Sequence, residues 1–169
     1  MTYKEKKVWA TLFSGLVIFV LYLRRALEVY RLDGQAVFQD TVFWAKTMLL
    51  YIGIGVVAII VWMIVFHILL AVSEQVVKEV KKAKGQVVEE EDQEDFYDVE
   101  DEMDRLIGLK AGQIGYAVVG IGFVSGLVSL AIGMAPGIML NITYLSFMLG
   151  SFLEGAVKLY FYKRGVSHG

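Results

Sequence analysis

Apolar positions dominate this chain in four long blocks. Residues 8–23, 47–72, 111–134 and 137–153 contain no Asp, Glu, Lys or Arg. Uncharged runs of this length match the roughly 30 Å hydrocarbon core that a transmembrane helix has to cross. The pattern predicts an all-α membrane protein, a single four-transmembrane-helix bundle with spans at about 8–25, 44–72, 111–134 and 137–160. Residues 73–110 are expected to form an acidic cytoplasmic loop between the second and third spans. Only Met134, Ala135, Pro136 and Gly137 separate the last two spans, which predicts a tight antiparallel hairpin there.

The first span follows Lys4, Lys6 and Lys7 and has the outline of a signal peptide. Arg24 and Arg25 stand where a small-residue cleavage site would be needed, so a retained helix is expected. Its uncharged core of 16 residues rises about 24 Å, and snorkelling by the two arginines would complete the crossing. The second span is long, about 48 Å if residues 41–72 form one helix. Its continuation from Ser73 to Lys84 sets Val76, Val77 and Val80 among Glu74, Lys78, Glu79, Lys81 and Lys82, the pattern of an amphipathic extension.

Charge then orients the bundle. Four spans place both termini on one side with the segment joining spans two and three. That side carries Lys4, Lys6, Lys7, Lys78, Lys81, Lys82, Lys84, Arg105, Lys110, Lys163 and Arg164, against Arg24, Arg25, Arg31 and Lys46 on the other. The positive-inside rule assigns the richer side, and with it both termini, to the cytoplasm. The expected location is the cytoplasmic membrane, as a multi-pass protein. Composition agrees with a lipid environment, at 57% hydrophobic residues and a mean hydropathy of +0.59. The absence of cysteine excludes disulfides, thiolate metal sites and Cys nucleophiles.

The third span has a small-residue stripe. Positions 108, 112, 115, 119, 122, 126, 129 and 133 advance by alternating four and three residues and therefore share a helix face. All but Val119 are small, and Gly112, Gly115, Gly122, Gly126 and Gly133 are the candidate packing residues. Gly122 and Gly126 have the GxxxG spacing that lets backbones approach closely in lipid. The simpler reading packs this face against another helix of the same chain; the alternative is a homodimer seam.

Polar residues in the spans define a candidate ion or proton site. Glu154 is the one acidic residue in an apolar span, and Lys158 lies at i+4, the favourable order for an ion pair. A carboxylate at that depth reads either as an ion site or as a local pair anchored near the headgroups. His67 falls near the same depth, and with Gln113, Tyr116 and Glu154 would complete a polar belt. Haem or a transition metal needs more ligands than the two histidines, one of them in the tail, supply, so neither a metal nor another cofactor is expected. No metalloprotease HExxH, Walker A sequence, nucleophile elbow or intramembrane Asp pair is present, and an enzyme is not expected.

From Glu89 to Asp104, acidic residues outnumber all others, a density that keeps a segment hydrated and self-repelling. Glu89, Glu90, Glu91, Asp92, Glu94 and Asp95 are its candidate residues for docking a basic cytoplasmic protein or weakly holding a divalent cation. Direct nucleic-acid contact is not expected. At the far end Asp101, Glu102 and Asp104 precede Leu106, Ile107 and Leu109, placing negative charge at the start of the third helix, where its dipole favours it.

Two segments carry a resemblance. Residues 101–116, DEMDRLIGLKAGQIGY, and the stretch from Asn141 through Glu154 and Lys158 to the Tyr162-Lys163-Arg164-Gly165 ending resemble a family of small four-span prokaryotic membrane proteins of unknown function. In that family a charged DERD-like segment enters the third helix and a glutamate–lysine element marks the last one, and its members are often encoded beside helix-turn-helix regulators. Met103 departs from the basic residue common there, and the acidic block is longer than usual. The resemblance implies a prokaryotic cytoplasmic-membrane protein, with Glu154 and Lys158 matching the last-helix pair. The resulting expectation is a non-enzymatic accessory or regulatory membrane protein whose partners are the bilayer, a basic cytoplasmic protein and, in the dimer reading, a second copy. The alternative is a small oligomeric transporter or channel using Glu154 and His67.

Overall fold

The computed structural model describes residues 3–83 and 102–164. Four helices make up almost all of it: α1 Tyr3–Asp33, α2 Thr41–Ala83, α3 Glu102–Ala131 and α4 Pro136–Arg164, with a 3₁₀ helix at Gly34–Gln39 between the first two. Each of the four has a stretch long and apolar enough to cross a membrane, which makes this a multi-pass membrane protein by its architecture. The segment expected to be loop at 73–110 is helical at both ends. α2 continues through residue 83 and α3 is already wound at Glu102, with Glu102 and Asp104 in its first turn. The acidic residues 89–95 lie outside the described residues.

The turns follow from local chemistry. Gly34 has φ +63° and follows α1, where a left-handed residue ends a helix without a Cβ clash. Asp40 caps α2: its Oδ1 accepts a hydrogen bond from Phe43 N at 2.9 Å, satisfying one of the helix's orphan donors. At the other helix junction Gly133 has φ +86°, Met134 N donates to Ser129 O and Gly133 N to Leu130 O, both at 3.0 Å. This is the Schellman pattern, and Pro136 then opens α4 in the first-turn position that costs it no hydrogen bond. No neighbouring atom obstructs a side chain at Gly133, so backbone strain alone decides its replacement. Gly133→Ala should cost about 1–2 kcal/mol, read as a lower unfolding midpoint in a denaturing-detergent titration.

Contact is unevenly shared among the helices. α3 and α4 pack antiparallel along most of their length; α1 packs antiparallel on α4 and on α2. Ile107, Ala111 and Leu159 are buried toward one end of the bundle, while a larger buried cluster sits at the other, the end that holds the 3₁₀ helix and the α3–α4 turn. There Tyr22, Val29, Val37, Trp44 and Met48 are buried together. Trp44 stacks on Phe38 with ring centroids 5.3 Å apart and planes 6° from parallel, and its indole Nε1 donates to Val37 O at 3.0 Å. Tyr22 donates its hydroxyl to Asn141 Oδ1 at 2.7 Å, while Asn141 Nδ2 donates to Gly137 O at 2.8 Å. Each polar atom in this relay is satisfied, as an apolar environment requires.

Toward the opposite end, where Tyr3, Ala83, Glu102 and Arg164 lie, α2 loses its neighbours. Between Val56 and Val65 every residue except Ala58 is exposed, on all sides of the helix. A helix bare on all faces has no other helix against it there. α2 is therefore anchored to the bundle by its first two turns and by the contacts of Tyr51 and Gly55, and stands apart beyond them. In lipid such exposure of Ile, Val and Leu is unpenalised.

Candidate functional site

The five candidate packing glycines occupy three different environments. Gly115, Gly122 and Gly126 are buried against α4. A Cβ on Gly115 would lie 3.1 Å from Gly150 O, and one on Gly126 would lie 3.1 Å from Thr143 Oγ1 and 3.3 Å from Met139 O. One on Gly122 would overlap the Ser146 side chain. The glycine hydrogens that fill these directions point at backbone and hydroxyl oxygens, the arrangement of Cα–H···O contacts between close helices. Thr143 Oγ1, facing Gly126, is buried without a conventional hydrogen bond. α4 answers in kind with Ser146, buried and bonded to its own Thr143 O at 2.7 Å, and with Gly150. Gly112 and Gly133 do not belong to this contact. The nearest atom to a Cβ on Gly112 is the ring of Tyr116 on its own helix, and Gly133 lies in the turn. The stripe is thus shorter than its sequence spacing suggests: Gly133 lies past the end of α3, and toward the start of the helix the buried positions are Ala111 and Ile107 instead of Gly112 and Gly108.

The candidate ion site is not assembled as a belt. Lys158 Nζ donates to Glu154 Oε1 at 2.6 Å, one turn away on the same helix, and both side chains are only partly covered. Tyr116 is 80% exposed and turns away from them, even though its neighbour Gly115 faces Glu154. One residue is 100° of helix rotation, so the two cannot face the same way. Gln113 is exposed as well. His67 lies within α2, and its side chain is outside the described set. Among the described residues no three His, Asp or Glu side chains gather as a metal site would need.

What the structure does assemble around Glu154 is a groove of about 960 Å³ between α1, α2 and α4. It opens because α2 stands away from the bundle below Gly55. Val8, Leu12, Ile52, Val56, Ile59, Phe147, Met148 and Phe152 supply apolar walls. Gly15 and Gly55 thin the α1 and α2 sides, and Tyr51 and Tyr144 close the end next to the aromatic core. The other end is charged: Lys7 from α1, Asp104 from α3, and Glu154, Lys158 and Tyr162 from α4. Depth along the helices could relate Glu154 to Lys158 in the sequence, but nothing in spacing could bring Lys7 and Asp104 to the same place.

Gly155 sets the position of α1 at this charged end. A Cβ there would come within 2.5 Å of Leu12 Cδ2, so α1 approaches α4 by seating Leu12 over a glycine. Phe19 continues the contact edge-on to Phe152, with centroids 6.4 Å apart. Comparison of the chain with family models, with curated proteins and with solved structures gives no match.

Proposed function

We propose that this chain is a non-enzymatic accessory or regulatory protein of a prokaryotic cytoplasmic membrane, with both termini and the acidic segment in the cytoplasm, where that segment docks a basic protein partner. The observation that carries the choice over ion transport is the Glu154–Lys158 pair. The carboxylate is satisfied by a cation on its own helix, and Tyr116, which a relay would use, faces outward. A carboxylate on an ion path is instead expected to face a wet interior and exchange partners. The positive-inside bias supports the orientation, and the density of acid at 89–95 supports an electrostatic partner.

The test separates the two roles. Replacing Glu89, Glu90, Glu91, Asp92, Glu94 and Asp95 by their amides should abolish salt-sensitive capture of a basic partner while leaving the bundle folded. Glu154→Gln should leave proteoliposome ion permeability at the level of empty vesicles. It should change stability by no more than about 1 kcal/mol, the scale of a partly exposed pair. Ion flux through the unmodified protein that Glu154→Gln removes would assign transport instead.

A further inference from the structure

The groove beside Glu154 has the form of an amphiphile: a long apolar trough ending in a small group of charges. From Tyr144 to Lys158 the α4 wall rises about 21 Å, somewhat more than the roughly 15 Å of hydrocarbon in one leaflet. Its open side faces the bilayer, since Ile52, Val56, Ile59 and Phe147 along it are exposed. The charged end brings together two ammonium groups, Lys7 and Lys158, and two carboxylates, Asp104 and Glu154, with the Tyr162 ring beside them. Their formal charges cancel.

We propose that this groove holds one phospholipid of the surrounding bilayer, acyl chain along the α1–α4 trough and headgroup at the charged end, and that it selects a zwitterionic, ethanolamine-type headgroup. A headgroup carrying its own phosphate and ammonium meets both signs at the groove's end and leaves the total balanced. A singly anionic headgroup brings an uncompensated negative charge to a site next to low-dielectric walls, where unpaired charge is expensive. The apolar length suits an acyl chain and the glycines Gly15 and Gly55 give it width. A second copy of the chain is a poorer occupant: the small-residue face that allows close helix approach is already covered by α4. This inference is independent of the role of the acidic segment and survives or fails separately from it.

The experiment uses the full chain purified in mild detergent and exchanged with phosphatidylethanolamine or phosphatidylglycerol of identical acyl chains, with bound lipid counted by native mass spectrometry. One phosphatidylethanolamine per chain is expected, retained about tenfold better than phosphatidylglycerol, the difference one charge-assisted hydrogen bond supports. Gly55→Leu, which fills the trough from α2, should cut occupancy; Ser151→Leu does the same from α4 if the first variant folds poorly. Gly53→Leu, on an open face of α2, should leave occupancy unchanged. Glu154→Gln or Asp104→Asn shifts the end to net positive and should move the preference toward phosphatidylglycerol. Equal retention of the two lipids, occupancy indifferent to Gly55→Leu and Ser151→Leu, or a dimer that shields the groove residues would each overturn the proposal.

Discussion

Gly122→Leu is expected to separate α3 from α4 and so remove the largest helix contact among the described residues. Even the Cβ of such a residue would coincide with the Ser146 side chain, on a stretch where neither backbone can yield without displacing Gly115 from Gly150 as well. Overpacking a close helix contact costs about 1–3 kcal/mol when neighbours can shift. Here the obstacle sits near the middle of two long helices, so a loss at or above the upper end of that range is expected. The measurement is thermal unfolding in detergent, followed by circular dichroism and by size-exclusion elution. The smaller change Gly122→Ala should be destabilising alone and should recover when combined with Ser146→Gly, which clears the space the new methyl takes. Additive losses in that double-mutant cycle would mean that the two positions do not face one another.

Trp44→Ala is expected to be the most damaging change at the opposite end of the bundle. Trp44 is fully buried, stacks on Phe38, meets Phe43 edge-on, and ties the 3₁₀ helix to α2 through its bond to Val37 O. Truncating a buried tryptophan typically costs about 3–5 kcal/mol, and Val37 O loses one of its two donors, keeping only Asp40 N at 3.2 Å. Trp44→Phe keeps ring contact and removes only the donor, so it should cost about 1 kcal/mol. The ratio of the two losses, taken from detergent-denaturation curves, tells whether packing or the hydrogen bond holds this corner. Because α2 has few other contacts with the bundle, Trp44→Ala should also raise amide exchange or protease access along α2 before it affects α3 and α4.

Helix number and approximate span placement were legible because uncharged runs are direct consequences of the solvent. The α3 face toward α4 was legible for a related reason. Gly115, Gly122 and Gly126 share one azimuth, and in lipid small residues are where helices touch. Azimuth is also what misplaced Tyr116. Depth alone groups it with Glu154, although the glycine phase sets it one residue, or 100°, off the packed face. The Tyr22–Asn141 bond and the Trp44–Phe38 stack had no local signature. The first joins residues 119 apart in the chain, and its one hint is an asparagine near the start of an apolar span; the second depends on how the 3₁₀ helix turns the chain back between Phe38 and Trp44. The length of α1 is less legible than the extension of α2 past Ser73 and the acidic start of α3, both of which the charge pattern predicts. Charge marks where a helix leaves the hydrocarbon, whereas α1 stays wound past Arg24 and Arg25 as far as Asp33.

The 43 residues of α2 make a rod of about 64 Å, roughly twice the thickness of the hydrocarbon layer, held against the bundle between Thr41 and Gly55. Geometry turns that into a lever. Swinging the free part by about 10° around Gly55 would carry Ala83, about 42 Å away, sideways by about 7 Å. A slight change in what occupies the groove between α1, α2 and α4 would thereby be magnified into a larger displacement at Ala83, the last residue of α2.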